Sequence, residues 1–223
     1  MRLVNRKLAA VGALVAAFGF GWVSRAYLAG GRERPPGEVP PIPEWQRQPQ
    51  ATASPSMEAV FGGIYQHASW GKNSEDAGGS GFGSSLRATL LYRTFLEQFM
   101  KDAEVHSVVD AGCGDWEFSQ AIDWNGIDYK GFDIVKSVIE RDRQRHGKPN
   151  IQFLAANIIE EDLPPADLLI SKHVLQHLPT ADVQRFLKQL PKYKHVLLVS
   201  SVNAGTLSGK NDDIPSAGFA SST

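Results

Sequence analysis

The sequence predicts an α/β domain built on a Rossmann-like parallel sheet, and two segments carry most of this prediction. Val108–Trp116 has the pattern of a buried strand that runs into a tight glycine turn, and Gly131–Asp133 that of a strand ending in a carboxylate. Asp133 follows Asp110 by 23 residues, which fits a strand, a helix and a second strand, a unit of roughly 20–30 residues. Strands that alternate with helices imply a parallel sheet with right-handed crossovers.

The individual elements follow from apolar periodicity and from capping residues. Five strands are predicted, at Ser107–Asp110, Tyr129–Asp133, Ile151–Ala155, Asp167–Ser171 and His195–Ser200. Helices are predicted at Leu86–Met100, at Trp116–Trp124, at Lys136–His146 with Gly147 as its stop signal, and from a cap at Thr180 through Leu190. The first of these helices has a cap at Ser84 or Ser85, and the four-residue spacing of Leu91, Phe95 and Phe99 places an apolar face on it.

Residues 1–30 predict a membrane anchor. Leu8–Ser24 is an uncharged run of 17 residues with three cationic residues before it, which is at the short end of the roughly 17–25 residues that a membrane span needs. A cleaved signal peptide ending near Ser24-Arg25-Ala26 and a buried soluble helix are the alternatives. Three cationic residues also follow the run closely, so the positive-inside rule does not decide its orientation.

Residues 31–57 and 58–223 differ in composition. Seven prolines fall between Pro35 and Pro55, so residues 31–57 predict an extended, partly stiff linker. Residues 58–223 hold the predicted fold.

The whole chain of 223 residues is 42% hydrophobic with a formal net charge of −1. This composition suits one domain with an apolar core and gives no reason to expect nucleic acid as a partner. Cys113 is the one cysteine, so no internal disulfide forms.

Several motifs in the C-terminal region resemble class I S-adenosylmethionine-dependent methyltransferases. That family has acid-x-Gly-x-Gly-x-Gly after its first strand; here Asp110, Gly112 and Gly114 match, and Trp116 stands where the third glycine would be. The Gly-Cys-Gly-Asp-Trp loop is similar to that of a bacterial subset of the family. Further matching segments are Phe61–Tyr65, Trp70-Gly71, Gly79–Ser85, Ala166–Ser171 and Val174–Pro179. The resemblance covers about residues 60–200.

The resemblance implies a sheet in the order 3-2-1-4-5, counted over the five predicted strands. Such domains usually continue with another helix and two strands. Only 23 residues follow Ser200, and they are rich in Gly, Ser, Asn and Asp, so we expect a shortened C-terminus, whether the domain is naturally trimmed or the chain truncated.

The resemblance also implies a cofactor site for S-adenosylmethionine. Asp110 would help to hold the glycine loop and the amino-acid end of the cofactor, and Gly112 and Gly114 would let the backbone pass close beside it. Asp133 would accept hydrogen bonds from both ribose hydroxyls, as its two oxygens suit a vicinal diol. Asn157 would accept the adenine amino group through its amide oxygen or, equally, cap its own loop. An acid that binds ribose hydroxyls would also suit NAD, so Asp133 alone does not distinguish the two cofactors.

His173 is the candidate catalytic base, because the fourth predicted strand ends beside it and an unperturbed histidine titrates near neutrality. The alternative is that His173 is a surface residue or starts a helix and has no catalytic role. His173 and His177 are four residues apart, but Val174 stands where a zinc motif needs Glu and no third ligand is evident, so no metal is expected. Glu117 takes the place of the third glycine of a dinucleotide loop, which argues against a nicotinamide enzyme.

These features together predict methyl transfer from S-adenosylmethionine to a small metabolite, a glycan or a lipid-linked intermediate. Tyr65, Trp70 and the loop Gly79–Ser85 could form a lid over the reactants. The anchor over residues 8–24 would hold the domain at a membrane, and we expect the catalytic domain on the cytoplasmic side because the cofactor is cytosolic. The alternative is a non-catalytic cofactor-binding or scaffold module.

Overall fold

The computed structural model describes residues 13–15, 55–201 and 213–218. Its strands are β1 Ala13–Val15, β2 Ser107–Ala111, β3 Asp128–Asp133, β4 Ile151–Ala155, β5 Ala166–Lys172 and β6 Tyr193–Val199. Its α-helices are α1 Met57–Gln66, α2 Leu90–Asp102, α3 Lys136–His146 and α4 Thr180–Leu187.

The strands form one parallel sheet in the order β1-β6-β5-β2-β3-β4. Counted over the five predicted strands, β2 to β6, this is 3-2-1-4-5, and the predicted Rossmann-like parallel sheet is confirmed. Asp110 lies opposite Gly131, and Asp133 opposite Ala155. The carboxyl ends of β2, β3 and β4 therefore lie at the same end of the sheet, which is where open α/β sheets bind ligands.

The edge strand β1 lies inside the predicted anchor Leu8–Ser24. Ala13–Val15 pairs in parallel with Val196–Leu198 of β6, so these three residues are extended and not helical as an anchor requires. The remainder of residues 1–30 and the linker up to residue 54 lie outside the described residues. No helix among the described residues has the length and apolar character to cross a membrane.

Both faces of the sheet are buried under helices, as a parallel sheet requires. Along the strands, side chains alternate between two apolar clusters. Val108, Leu168 and Leu197 join the cluster that α2 covers, and their neighbours Val109, Leu169 and Val196 join the cluster that α1 and α4 cover.

The start and the buried face of α2 differ from the prediction. The helix begins at Leu90 and not at Leu86, because the hydroxyl of Thr89 donates to the carbonyl of Ser85 and closes a separate turn. Its core face is Tyr92, Leu96 and Met100. Leu91, placed on the core face by the sequence, is 66% exposed.

The predicted helix at Trp116–Trp124 is wrong. Only a short 3-10 turn forms there, at Ser119–Ala121. The backbone of Trp116 has a φ of +55°, a left-handed conformation that an α-helix of L-residues does not continue. Its ring is nevertheless buried against Tyr129 and Phe153.

Two further helices differ in extent. The sequence reasoning missed α1, although Ser56 caps it through a hydrogen bond from the Ala59 amide and its apolar residues recur with helical spacing. Helix α4 ends at Leu187 and not at Leu190. Thr180 is its first residue, and not its cap, because its amide and hydroxyl donate to the side chain of Asp213.

Candidate active site

A cavity of about 320 Å³ opens at the carboxyl ends of β2, β3 and β5. The sheet topology brings every residue that the sequence singled out into its wall. These residues are Asp110, Gly112, Gly114, Asp133, Asn157 and His173.

The glycine loop after β2 is folded onto the end of β3. The amides of Gly112 and Cys113 donate to the carbonyl of Phe132 at 2.8 and 3.0 Å, and the Gly114 amide donates to Oδ2 of Asp133 at 3.0 Å. Both glycines have left-handed backbones, with φ of +86° at Gly112 and +59° at Gly114. The loop therefore needs glycine for its own shape, besides any approach to a ligand.

Space around these two glycines is also closed to a side chain. A Cβ on Gly112 would come closer than 3.0 Å to Cγ2 of Val174, and one on Gly114 closer than 3.0 Å to Oγ of Ser80. The absence of a Cβ at Gly112 thus leaves room for Val174, and its absence at Gly114 leaves room for Ser80.

Asp133 is held in a fixed orientation at the end of β3. Its Oδ2 accepts from Gly114, and its Oδ1 accepts from the Val135 amide at 2.9 Å. Burial raises the pKa of this carboxyl above its usual value, and the backbone hydrogen bonds oppose the rise. Each oxygen keeps a further lone pair, so the side chain can still accept two hydrogen bonds from a ligand.

Asp110 is 3% exposed and accepts a 2.7 Å hydrogen bond from the hydroxyl of Tyr129 on its Oδ2. Burial raises the pKa of Asp110 to about 7, against the lowering effects of the Tyr129 hydrogen bond and of the positive charge of Lys172. Burial therefore favours the neutral form of this carboxyl, and a bound cation would favour its ionised form.

Asn157 lines the cavity, but its side-chain oxygen is engaged locally. Oδ1 accepts from the Ile159 amide at 3.0 Å, and the Asn157 amide donates to Glu161. This is the loop-capping arrangement that the sequence left open. Contact with adenine remains a prediction.

Lys172 is a residue that the sequence reasoning left without a role. Its Nζ donates to the carbonyl of Gly83 at 2.6 Å and lies 5.2 Å from the ring centroid of Phe118 and 5.7 Å from that of Tyr92. Burial lowers its pKa to about 8, and the charge of Asp110 opposes the shift. The sequence does show a lysine at the end of a buried strand, directly before the candidate base His173. Its contacts could not be predicted, because they involve Gly83 in a loop that is remote in the sequence.

His173 follows Lys172 in a left-handed backbone conformation, with a φ of +58°, and its amide donates to the carbonyl of Val199 at 2.7 Å. Burial lowers the pKa of its imidazole to about 4, with smaller effects from Lys172 and His177. The ring is therefore neutral at pH 7 and has a nitrogen that can accept a proton.

The Gly79–Ser85 loop forms one wall of the cavity through a hydrogen-bond network centred on Ser80. Its hydroxyl donates to Oδ1 of Asp115 at 2.7 Å and accepts from the Asp115 amide at 3.0 Å. The hydroxyls of Ser80 and Tyr65 lie 2.7 Å apart. The loop thus contacts the glycine loop directly, as a lid requires, and its opening remains a prediction.

His177 contacts Trp70 and Gly218. Its ring centroid lies 4.8 Å from that of Trp70, and its Nδ1 donates to the carbonyl of Gly218 at 2.9 Å. Over the described ranges, no group of three or more His, Cys, Asp or Glu side chains is placed to hold a metal ion.

The family model for a methyltransferase domain matches residues 109–193, the segment that contains β3 to β5 and most of the cavity wall. The match identifies residues 109–193 as a methyltransferase domain. S-adenosylmethionine is the cofactor of this family. No curated protein matches the sequence.

Solved structures similar to this chain are distant in sequence. The methyltransferase domain of bacterial CtHen1 is 20% identical, with a TM-score of 0.42, and the match covers 48% of this chain and 63% of that one. Magnesium protoporphyrin IX methyltransferase from Synechocystis PCC 6803 is 16% identical, with a TM-score of 0.47 and coverage of 63% and 73%. The chain spans just under two thirds of the length of the two CtHen1 structures that it matches, 63% and 66%.

Proposed function

We propose that the chain transfers a methyl group from S-adenosylmethionine to a small-molecule acceptor. One observation carries the proposal: a single cavity contains the glycine loop and two carboxylates on one side and the pair Lys172 and His173 on the other. A cofactor site and a site for proton removal would thus adjoin, as alignment of a donor with an acceptor requires.

The donor groups in the cavity fit the cofactor. Asp133 presents two oriented carboxylate oxygens with lone pairs to spare, which suit a vicinal diol, and Asp110 presents a carboxylate that suits a cationic ammonium group. The two left-handed glycines bring the backbone of their loop to the cavity wall. When bound, S-adenosylmethionine supplies a methyl group activated by a positively charged sulfonium.

The chain's own contribution is to align the acceptor and to remove its proton. His173 is neutral at physiological pH because burial lowers its pKa to about 4, so it can accept a hydrogen bond from an acceptor O–H or N–H. It would take the proton as methylation makes that group more acidic. Lys172, held by Gly83 and two aromatic rings, would position the cavity wall beside the base.

Calorimetric titration of S-adenosylmethionine into the full chain tests the cofactor site. Asp133→Asn should abolish or strongly weaken binding, because an amide keeps one oxygen acceptor where the carboxylate has two. Asp128→Asn, an exposed position on the same strand, is the matched control and should bind as the parent does. A folded parent without affinity for the cofactor would contradict the proposal.

The acceptor class is tested with S-adenosylmethionine carrying a labelled methyl group. Cell extracts are separated into aqueous, glycan and lipid fractions, and each is incubated with the parent or with His173→Gln. We expect label in one fraction with the parent and a large loss with the variant. Cofactor binding without label in any fraction would support a non-catalytic module instead.

Membrane tethering through residues 8–24, with the domain on the cytoplasmic side, is part of the proposal. It is supported by the uncharged run in the sequence and by the cytosolic location of the cofactor. The pairing of Ala13–Val15 with β6 opposes it, because a membrane span over residues 8–24 would have to release this edge strand from the sheet. A topology reporter fused at Thr223 should report the cytoplasmic side. An external reporter would exclude access to cytosolic S-adenosylmethionine and overturn this part.

A further inference from the structure

A single cationic side chain lies in the wall of the cavity, beside the candidate base His173. Among the described residues that line the cavity, Lys172 is the one Lys or Arg side chain. It is partly buried at the end of β5, and none of the ion pairs over the described ranges includes it. Because an ionised group that is removed from water needs a counter-charge or hydrogen bonds, this ammonium group indicates a binding role.

The hydrogen-bonding capacity of this ammonium group is only partly used. It has three N–H donors, and one of them donates to the carbonyl of Gly83 at 2.6 Å. The rings of Phe118 and Tyr92, with centroids 5.2 and 5.7 Å from Nζ, attract the positive charge. They leave the other two N–H groups without an oxygen or nitrogen acceptor among the described residues, so two donors remain for a bound molecule.

The charge that stabilises the ammonium form of Lys172 is that of Asp110. The proposed function assigns this carboxylate to the ammonium group of S-adenosylmethionine, and a carboxylate paired with the cofactor balances Lys172 less well. The sulfonium of the cofactor brings a further positive charge into the same cavity. A cavity loaded with cofactor would therefore favour an acceptor that carries a negative charge to Lys172.

Lys172 and His173 both line the cavity although they are neighbours in the sequence. Consecutive side chains of a strand point to opposite faces, and the left-handed φ of +58° at His173 ends that alternation. Gly83 lies against both side chains. Its carbonyl accepts from Lys172, and a Cβ on it would lie 2.8 Å from Nδ1 of His173. One small molecule could therefore reach the ammonium group and the imidazole together.

We propose that the methyl acceptor is a carboxylic acid, whose carboxylate binds Lys172 while a neighbouring O–H or N–H group faces His173. The inference rests on the proposed function for methyl transfer, but the carboxylate site can be tested without turnover. A single cation suits a carboxylate, which has one negative charge, better than a phosphate group, which has about 1.5 to 2 at pH 7. Among the acceptor classes left open by the sequence, an acidic small metabolite is favoured.

Binding of 2-hydroxybenzoate and 3-hydroxybenzoate to the full chain tests the carboxylate site. Each probe carries a carboxylate and a hydroxyl group on one ring, and the two differ in the spacing of these groups. The corresponding hydroxybenzamides have nearly the same shape without the charge and are the ligand controls. Affinities are measured by NMR titration with and without S-adenosylhomocysteine, the demethylated form of the cofactor, so that no methyl transfer occurs.

Three variants assign the binding to Lys172. Lys172→Met removes the charge and keeps the length of the side chain, Lys172→Arg keeps the charge, and Lys101→Met, exposed in the last turn of α2, is the matched control. We expect the parent and Lys101→Met to bind at least one acid about tenfold or more tighter than its amide, because the amide lacks the charge-assisted hydrogen bond. Lys172→Met should lose this preference, and Lys172→Arg should keep part of it.

Equal affinity of the parent for acid and amide, or no affinity for either acid, would overturn the inference. A preference that persists in Lys172→Met would overturn it too. The comparison on the parent does not depend on the folding of any variant. Urea unfolding and cofactor titration of Lys172→Met show whether the change is local. We expect cofactor affinity no lower than that of the parent, because loss of a positive charge does not weaken the attraction between Asp110 and a cationic cofactor.

The assay with labelled methyl groups separates this inference from the proposed function. A labelled product retained on an anion exchanger at neutral pH supports a carboxylic acid acceptor. A neutral or cationic labelled product contradicts it and still supports methyl transfer. A preference for the acids that depends on Lys172, without label in any product, supports the carboxylate site and contradicts the proposed function.

Discussion

Alanine at Gly112 tests whether packing, besides backbone conformation, requires glycine in the loop after β2. Gly112 and Gly126 have similar left-handed backbones, with φ of +86° and +77°. A Cβ on Gly126 would meet nothing within 4 Å. A Cβ on Gly112 would overlap Cγ2 of Val174 and lie 3.1 Å from its Cγ1. The two substitutions therefore share the backbone strain and differ in the overlap.

The magnitudes follow from these two terms. A left-handed backbone costs a residue with a Cβ about 1–2 kcal/mol, so Gly126→Ala should lower the free energy of unfolding by about that amount. Overpacking adds about 1–3 kcal/mol, so Gly112→Ala should lower it by about 2–5 kcal/mol. The restriction of the unfolded chain by alanine is the same in both variants and cancels in the comparison.

Urea unfolding of the full chain, followed by tryptophan fluorescence, measures both losses. Val174→Ala in the Gly112→Ala background should relieve the overlap, and the double-mutant cycle should give a favourable coupling of about 1 kcal/mol or more. The same Val174→Ala change should show no coupling to Gly126→Ala. Equal losses for the two glycine variants, with no coupling to Val174, would refute the argument from packing.

Three further outcomes are expected. Burial raises the pKa of Asp142 to about 7 from 3.8, so the folded state holds a proton that the unfolded chain releases. Its contribution to stability is complete below about pH 4 and is lost as pH rises through about 7. Asp142→Asn should therefore flatten the pH dependence of urea unfolding and stabilise by at most about 4 kcal/mol at pH 8; a pH dependence as steep as that of the parent would contradict this. The imidazole resonances of His173 should stay those of the neutral ring from about pH 5 to about pH 8, since burial lowers its pKa to about 4; an NMR midpoint near neutrality would contradict this. Ser80→Ala should increase amide hydrogen exchange in residues 79–85 by about tenfold, and unchanged exchange there would mean that the hydroxyl network does not hold the loop.

The strands and one helix could be predicted because local sequence decides them. Ile151–Ala155 and Lys136–His146 match the prediction residue for residue, each being an apolar or periodic run with turn residues at its ends. The core face of α2 could not be predicted in the same way. The row of Leu91, Phe95 and Phe99 is apolar, and so is the row one residue on, so periodicity alone does not choose between them.

The candidate site was predictable where position along a strand was enough. Asp110 and Asp133 close neighbouring parallel strands, so their spacing in the sequence places both at one edge of the sheet. Lys172 and Ser80 were not predictable, because their partners come from segments about 35 to 89 residues away in the chain. Trp116 was misassigned for a related reason, since tertiary packing of its ring holds a backbone conformation that propensity does not anticipate.

The loop Gly79–Ser85 and the glycine loop depend on each other for their shape. The Ser80 hydroxyl occupies the space that a Cβ on Gly114 would need. The same hydroxyl donates a hydrogen bond to the side chain of Asp115, the residue after Gly114, and accepts one from the Asp115 amide. The Gly114 amide is at the same time the donor that orients Asp133. Movement of the loop away from the cavity would therefore break contacts to the residue next to Gly114, and the orientation of the candidate ribose-binding carboxylate depends on how the cavity wall is closed.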